Sequence, residues 1–102
     1  MGVKNISAIE LGEILKTESL PIIDIRPTSE YELGHISKAR NISIGEIMQS
    51  PERYLSKNRI YYIICDEGKK SIALCYELRQ KGYDVINVLG GIQAYPGPLV
   101  KY

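Results

Sequence analysis

Ile60-Tyr-Tyr-Ile-Ile-Cys-Asp-Glu-Gly-Lys-Lys-Ser71 decides the fold of this chain. Its first five residues are an unbroken apolar run of β-branched and aromatic side chains. Such a run suits a strand covered on both faces, as in a parallel sheet. The run stops at Cys65. Gly68, two lysines and Ser71 follow, and a helical pattern begins directly after them. A buried strand thus delivers a cysteine to its carboxyl end, and a short glycine-containing loop leads into a helix. In open α/β sheets, ligands bind at the carboxyl ends of strands.

That arrangement has chemical consequences. The thiolate is the reactive form of cysteine, and helix N-termini and cations favour it. Loop amides that converge on one point hold anions. Lys69 and Lys70 add positive charge, whereas Asp66 and Glu67 oppose it. On these residues alone two readings stand: Cys65 is a nucleophile, or it is a small apolar residue at a strand end.

Length and composition narrow the alternatives. The chain has 102 residues, 44% hydrophobic and 25% charged, which is ordinary for one globular domain spanning residues 1–102. A formal charge of +1 offers no electrostatic case for nucleic acid or an anionic membrane. Two cysteines do not make a disulfide framework. No stretch is long enough to span a bilayer, and Met1 to Ile6 lacks the sections of a signal peptide. The expected compartment is the reducing cytoplasm.

Taken in order, Val3 to Ile6 reads as a short strand. Ser7 to Glu10 is a capping-box pattern that opens a helix stopped by Pro21. Pro21 to Arg26 reads as a second strand, and Thr28 or Ser29 caps a short acidic helix through Leu33. A third strand falls near Ala39 to Ile42. Gly45 to Leu55 is helical but divided by Pro51. Ser71 to Lys81 is the clearest helix, with Ile72, Leu74, Cys75 and Leu78 on or near one side. Asp84 to Leu89 is a fifth strand. After the Gly90-Gly91 turn, Ile92 to Tyr95 is at most one helical turn, because Pro96 and Pro98 follow. Strands alternate with helices, which predicts an α/β fold: a five-stranded, mainly parallel sheet with helices on both faces.

Other chemistry-bearing residues carry plainer readings. Asp24 and Arg26 occupy alternate positions of one strand and point to the same side, so they read as a structural pair. His35, the only histidine, reads as a partner for backbone groups at a helix end; its other reading is a base for the thiol. Cys75 lies on the apolar side of a helix and reads as core. The cysteine and histidine spacing fits no zinc site. Gly90-Gly91 reads as a tight turn, since no nucleotide-binding glycine pattern is present.

Together these residues resemble a single-domain rhodanese over nearly the whole chain. Asp24-Ile-Arg26, Glu30-Tyr31, Gly34-His35-Ile36, Ala39 and Asn41-Ile42 look like the family's first signature. Cys65, Gly68 and Ser71 look like its catalytic cysteine, loop glycine and helix start. Leu89-Gly90-Gly91 and Ala94-Tyr95 look like its closing signature, with Tyr95 where tryptophan is more usual. The resemblance implies a rhodanese-type sulfurtransferase. Its Cys65 takes a sulfane sulfur as a persulfide, from thiosulfate, another small donor or a protein persulfide, and passes it to cyanide or a thiol. Asp66, Glu67, Gly68, Lys69, Lys70 and Ser71 would form the substrate pocket, with no metal or organic cofactor. From Cys65 through Lys70 there are six residues, the length associated with sulfur-handling members. The related phosphatases have one residue more and a terminal arginine. Lys70 cannot grip phosphate in bidentate fashion. Asp66-Glu67 departs from a loop that usually receives anions. At about 4 Å near a surface, a unit charge pair is worth roughly 4 kcal/mol before screening. Thiosulfate, a dianion, is therefore expected to be a poor donor. The alternative is a catalytically weak module that regulates, senses oxidants or binds a partner.

Overall fold

Alternation of apolar side chains along each strand sorts the helices onto two faces of one sheet. The structure, a computed structural model, describes residues 2–102. The elements are β1 (Lys4–Ser7), α1 (Ala8–Leu15), β2 (Ile22–Asp24), α2 (Thr28–Leu33), β3 (Arg40–Asn41), α3 (Ile44–Gln49), a 3₁₀ turn (Pro51–Arg53), β4 (Ile60–Ile64), α4 (Lys69–Gln80), β5 (Asp84–Leu89) and α5 (Gly91–Ala94). The strand order is β1-β5-β4-β2-β3, and every pairing is parallel. The Cys65 strand is therefore the middle one, and both its edges are paired.

On one face, Ile23, Tyr61, Ile63 and Val85 of the sheet cluster with Ile47, Leu55, Leu74, Cys75 and Leu78. On the other, Ile22, Ile64 and Val88 cluster with Ala8, Leu11, Ile36 and Ala39. An apolar residue on either side of the sheet thus meets apolar partners, which is why β4 shows an unbroken run rather than alternation. Among the described residues, no helix is long and apolar enough to cross a membrane.

Local signals acted largely as expected. Ser7 accepts from the Glu10 amide at 3.0 Å, and Ser43 does the same for Glu46 at 3.1 Å. Both are capping boxes. The Ser43 bonds hold the Glu46 carboxyl below its ordinary range. Three details differ. α1 ends at Leu15, well before Pro21, and its last turn tightens through Lys16 and Thr17 amides donating to the Glu13 and Ile14 carbonyls. Leaving the helix there lets Leu20 reach the Leu11 cluster. Thr28 does not cap α2; Pro27 precedes the helix, and the Thr28 hydroxyl bonds Asn41 Oδ1 at 3.0 Å. α4 starts at Lys69, and its buried side is Ser71, Leu74, Cys75 and Leu78. Ile72 lies off that stripe and is 39% exposed. A buried serine holds the position that hydrophobicity would have given to isoleucine.

Cys75 is fully buried, and burial pushes its thiol from 9.0 up to about 12. The Arg79 charge acts in the opposite direction, and Cys65 adds to the rise. Burial also raises Tyr31 and Tyr95 above 10.0. The unfolded chain releases these protons at lower pH than the folded one. Stability is therefore fully present below pH 9 and falls as pH rises toward 12. Urea unfolding between pH 8 and pH 11 is expected to show this decline, with a shallower slope for Cys75→Ala.

Candidate functional site

The site is built where β4 and β5 end side by side. β4 releases the chain at Cys65, and Gly68, at φ 91°, turns it into α4. The turn brings the Gly68 amide back to donate to Cys65 Sγ at 3.0 Å. The first amides of α4, those of Lys69 and Lys70, have no helical carbonyl one turn behind them. They face the same end of the sheet, with the positive end of the helix dipole.

A second loop holds the first in this shape. Gly90 and Gly91 have φ values of 85° and 59°. Their turn lets the Ile92 amide donate to the Cys65 carbonyl at 2.9 Å and the Gln93 amide donate to the Asp66 carbonyl at 3.1 Å. Those two bonds take up the loop carbonyls from behind. A Cβ on Gly91 would overlap both carbonyls, and one on Gly68 would stand 2.9 Å from the Gly90 amide nitrogen. These glycines are places where two backbones meet, as well as turns.

The loop borders an open cleft of about 560 Å³, with the segment after β2, the start of α2 and α3 on its far side. Cys65, Asp66, Glu67, Lys69 and Lys70 all line it. Gly68 and Ser71 lie behind this lining. Cys65 itself is only 3% exposed, so its sulfur sits at the floor. The charged rim is mixed. Glu67 approaches Lys69 at 3.6 Å, and Gln93 donates to Asp66 Oδ2 at 2.8 Å. Glu30 and Glu46 add carboxylates from the opposite wall. Arg26 also lines the cleft, but its charge is already matched. It donates to Asp24 Oδ1 and Oδ2 at 3.0 and 3.1 Å through Nε, to Oδ2 at 2.8 Å through Nη2, and to the Gly34 carbonyl at 2.7 Å. Asp24 is fully buried and Arg26 nearly so. Asn41 adds bonds to the Asp24 and Arg26 carbonyls at 3.0 and 2.9 Å. The pair thus fixes the cleft wall, as its strand spacing predicts.

His35 is built into the scaffold. Its Nδ1 lies 2.8 Å from the Tyr31 carbonyl and its Nε2 2.7 Å from a Tyr102 backbone oxygen. Its ring stacks on Tyr31 at 3.7 Å. It is buried and does not line the cleft. Cys75 lies on the core side of α4 and is also away from the cleft lining. Among the described residues, no group of three or more His, Cys, Asp or Glu side chains is placed to hold a metal.

Three residues at the site were not singled out in the sequence. Gln93 steadies Asp66, and Asn87 and Asn5 form a polar line behind Ser71. Gln93 left no signal, because a glutamine on a one-turn helix is unremarkable. Asn87 did leave one: an amide within the apolar run Val85 to Leu89 must find a partner.

Known proteins share this fold. The family model described as Rhodanese-like domain matches residues 7–96. The Bacillus subtilis (strain 168) protein YtwF, whose name assigns it provisionally to the sulfurtransferases, is 36% identical over 98 residues, 95% of this chain and 94% of that protein. Thiosulfate sulfurtransferase GlpE of Pseudoalteromonas translucida (strain TAC 125) is 30% identical, with 93% of this chain and 90% of that protein covered. The crystal structure of a rhodanese-like domain protein from Staphylococcus aureus superimposes with a TM-score of 0.83 at 31% identity, covering 93% of each chain. In longer relatives the match spans only part, 43% of one and 25% of another.

Two substitutions test how the site is held. Gly91→Ala is expected to cost on the order of 3 kcal/mol in urea unfolding, since it strains a left-handed residue against two carbonyls. His35→Ala is expected to cost about 1–3 kcal/mol. It should leave the pH profile of Cys65 alkylation unchanged, whereas loss of a base would alter it.

Proposed function

The chain belongs to the rhodanese-like domain family, and from that membership we propose that it is a sulfurtransferase working through a Cys65 persulfide. The observation that carries the reading is the placement of Cys65. Its sulfur lies at the floor of an open cleft, 3.0 Å from the Gly68 amide and at the N-terminus of α4. A thiolate there attacks the outer sulfur of a donor. The Cys65 S–S bond forms, the donor's S–S bond breaks, and the leaving group departs with the electron pair. With thiosulfate that leaving group is sulfite. Cyanide or an acceptor thiolate then attacks the outer sulfur, and the Cys65 thiolate is released. This is covalent catalysis in two half-reactions. The segment Asp66 to Lys70 binds the donor, with Ser71 buried behind it, and the loop amides stabilise the anionic outer sulfur. The chemistry calls for no metal or organic cofactor. Two free cysteines suit a reducing cytoplasm.

Charge bears on the choice of donor. The Asp66, Glu67, Glu30 and Glu46 carboxylates surround the cleft, against Lys69 and Lys70; Arg26 is matched by Asp24. Lys69 is mostly exposed and is shared with Glu67, so it offsets little. The rim therefore opposes a dianion more than a neutral or singly charged persulfide. A small-thiol or protein persulfide is the preferred donor in this reading.

Intact mass of the reduced protein, after thiosulfate and separately after a small-molecule persulfide, tests both points. Wild type is expected to gain one sulfur and Cys65→Ala none. Cyanide should discharge the sulfur as thiocyanate. Loading by the persulfide is expected to be at least tenfold faster than by thiosulfate at equal concentration. Equal rates would defeat the charge argument. No sulfur gain from either donor would defeat the enzyme reading in favour of a binding or sensing module.

A further inference from the structure

Behind the sulfur, away from the cleft, a line of hydrogen bonds runs through the protein to the first strand. Ser71 Oγ is 3.2 Å from Cys65 Sγ. The Ser71 hydroxyl bonds Asn87 Oδ1 on β5. Asn87 Nδ2 donates to Asn5 Oδ1 at 3.0 Å, and Asn5 Nδ2 donates to the Val3 carbonyl at 3.2 Å. Ser71 and Asn87 are fully buried.

The line has a direction, because its far end is a carbonyl. Val3 O only accepts, so Asn5 turns its NH2 toward Val3 and its oxygen toward Asn87. Asn87 then gives its NH2 to Asn5 and its oxygen to Ser71. A hydroxyl has one proton, and Ser71 gives that proton to Asn87. What Ser71 presents to Cys65 is a lone pair. That lone pair suits a neutral S–H and repels a thiolate. Turning the Ser71 proton toward sulfur instead would leave Asn87 Oδ1 buried without a partner.

We propose that Asn87 is a positioning residue that fixes Ser71 as the acceptor of the Cys65 S–H. Among the described residues, the Gly68 amide is then the one hydrogen bond from behind the cleft that favours the charged sulfur. This deepens the sulfurtransferase reading in that it concerns the same thiol, but its test measures alkylation and not sulfur transfer. The other groups around the thiol are Asp66, Glu67, Lys69 and Lys70 from its own loop and α4, and Cys75 within α4. Across the cleft stand the Asp24–Arg26 pair of β2 and its loop, Glu30 of α2 and Glu46 of α3. β5 and α5 contribute neutral amides, Asn87 and Gln93. None of these charges changes in the variants below.

The test is the rate of iodoacetamide alkylation at Cys65, mapped by peptide mass between pH 5 and pH 10. Native folding of each variant is checked by circular dichroism. Asn87→Val frees the Ser71 proton to turn toward sulfur. Alkylation below the midpoint of the profile is expected to rise about tenfold, the scale of one hydrogen bond to a charged acceptor. Ser71→Ala removes the opposing lone pair and is expected to raise the rate two- to threefold. In a Ser71→Ala background, adding Asn87→Val is expected to change nothing further. A slower rate in Ser71→Ala overturns the proposal, because it would mean that Ser71 donates to the thiolate. So does an Asn87→Val effect of equal size with or without Ser71, or no effect of Asn87→Val in a folded protein. Ser71→Ala decides the direction by itself if Asn87→Val fails to fold. Failure of sulfur loading with these alkylation results intact would count against the transferase reading alone.

Discussion

Two backbone hydrogen bonds hold the candidate site together: the Ile92 and Gln93 amides donate to the Cys65 and Asp66 carbonyls. The loop from Cys65 to Gly68, at the end of a strand, has many conformations when free, and fixing each residue costs about 1–2 kcal/mol of entropy. Taking up two carbonyls from behind removes the conformations in which those peptides face the other way. The clasp needs two backbones in contact, and Gly68 and Gly91 are where they touch. Parallel pairing of β4 with β5 makes this possible, because it ends the two strands at the same edge of the sheet.

The cleft wall depends on a second constraint of a different kind. Asp24 and Arg26 are buried charges that hold each other; Arg26 Nη2 also donates to the Gly34 carbonyl, and the Arg26 amide donates to Asp24 Oδ1. A buried pair contributes little net stability, but loss of one partner leaves an uncompensated charge. Its role here is positional: it ties β2 to the segment after α2. The site thus has a neutral clasp under the thiol and a buried ion pair opposite, and its unmatched charge lies at the exposed rim.

Much of this was legible in local pattern. The apolar run Ile60 to Ile64, the two capping boxes and the alternation of strands with helices specify a parallel α/β sheet. The position of Cys65 at the end of that run marks the site. Asp24, Arg26 and His35 read as structural, and in the structure each is buried and hydrogen-bonded within the scaffold. Where the reading went astray, burial by type was the cause. Ile72 was assigned to the core side of α4, but Ser71 occupies it, because hydrophobicity cannot show that a serine will find Cys65 and Asn87 as partners. Thr28 or Ser29 was expected to cap α2, but no side chain caps it, and Asn41, far along the chain, bonds the Thr28 hydroxyl.

What the sequence determined by itself was the order and type of the elements and the one cysteine delivered to a strand end. Those follow from periodicity, caps and breakers, which act between residues a few positions apart. The tertiary structure alone decided which distant groups surround that cysteine. Asn87 and Asn5 stand 82 residues apart, and Gln93 and Asp66 27 apart. They meet only because β5 pairs with both β1 and β4. Hydrogen bonds need approach to about 3 Å, and no pattern along the chain encodes a distance that the sheet order sets.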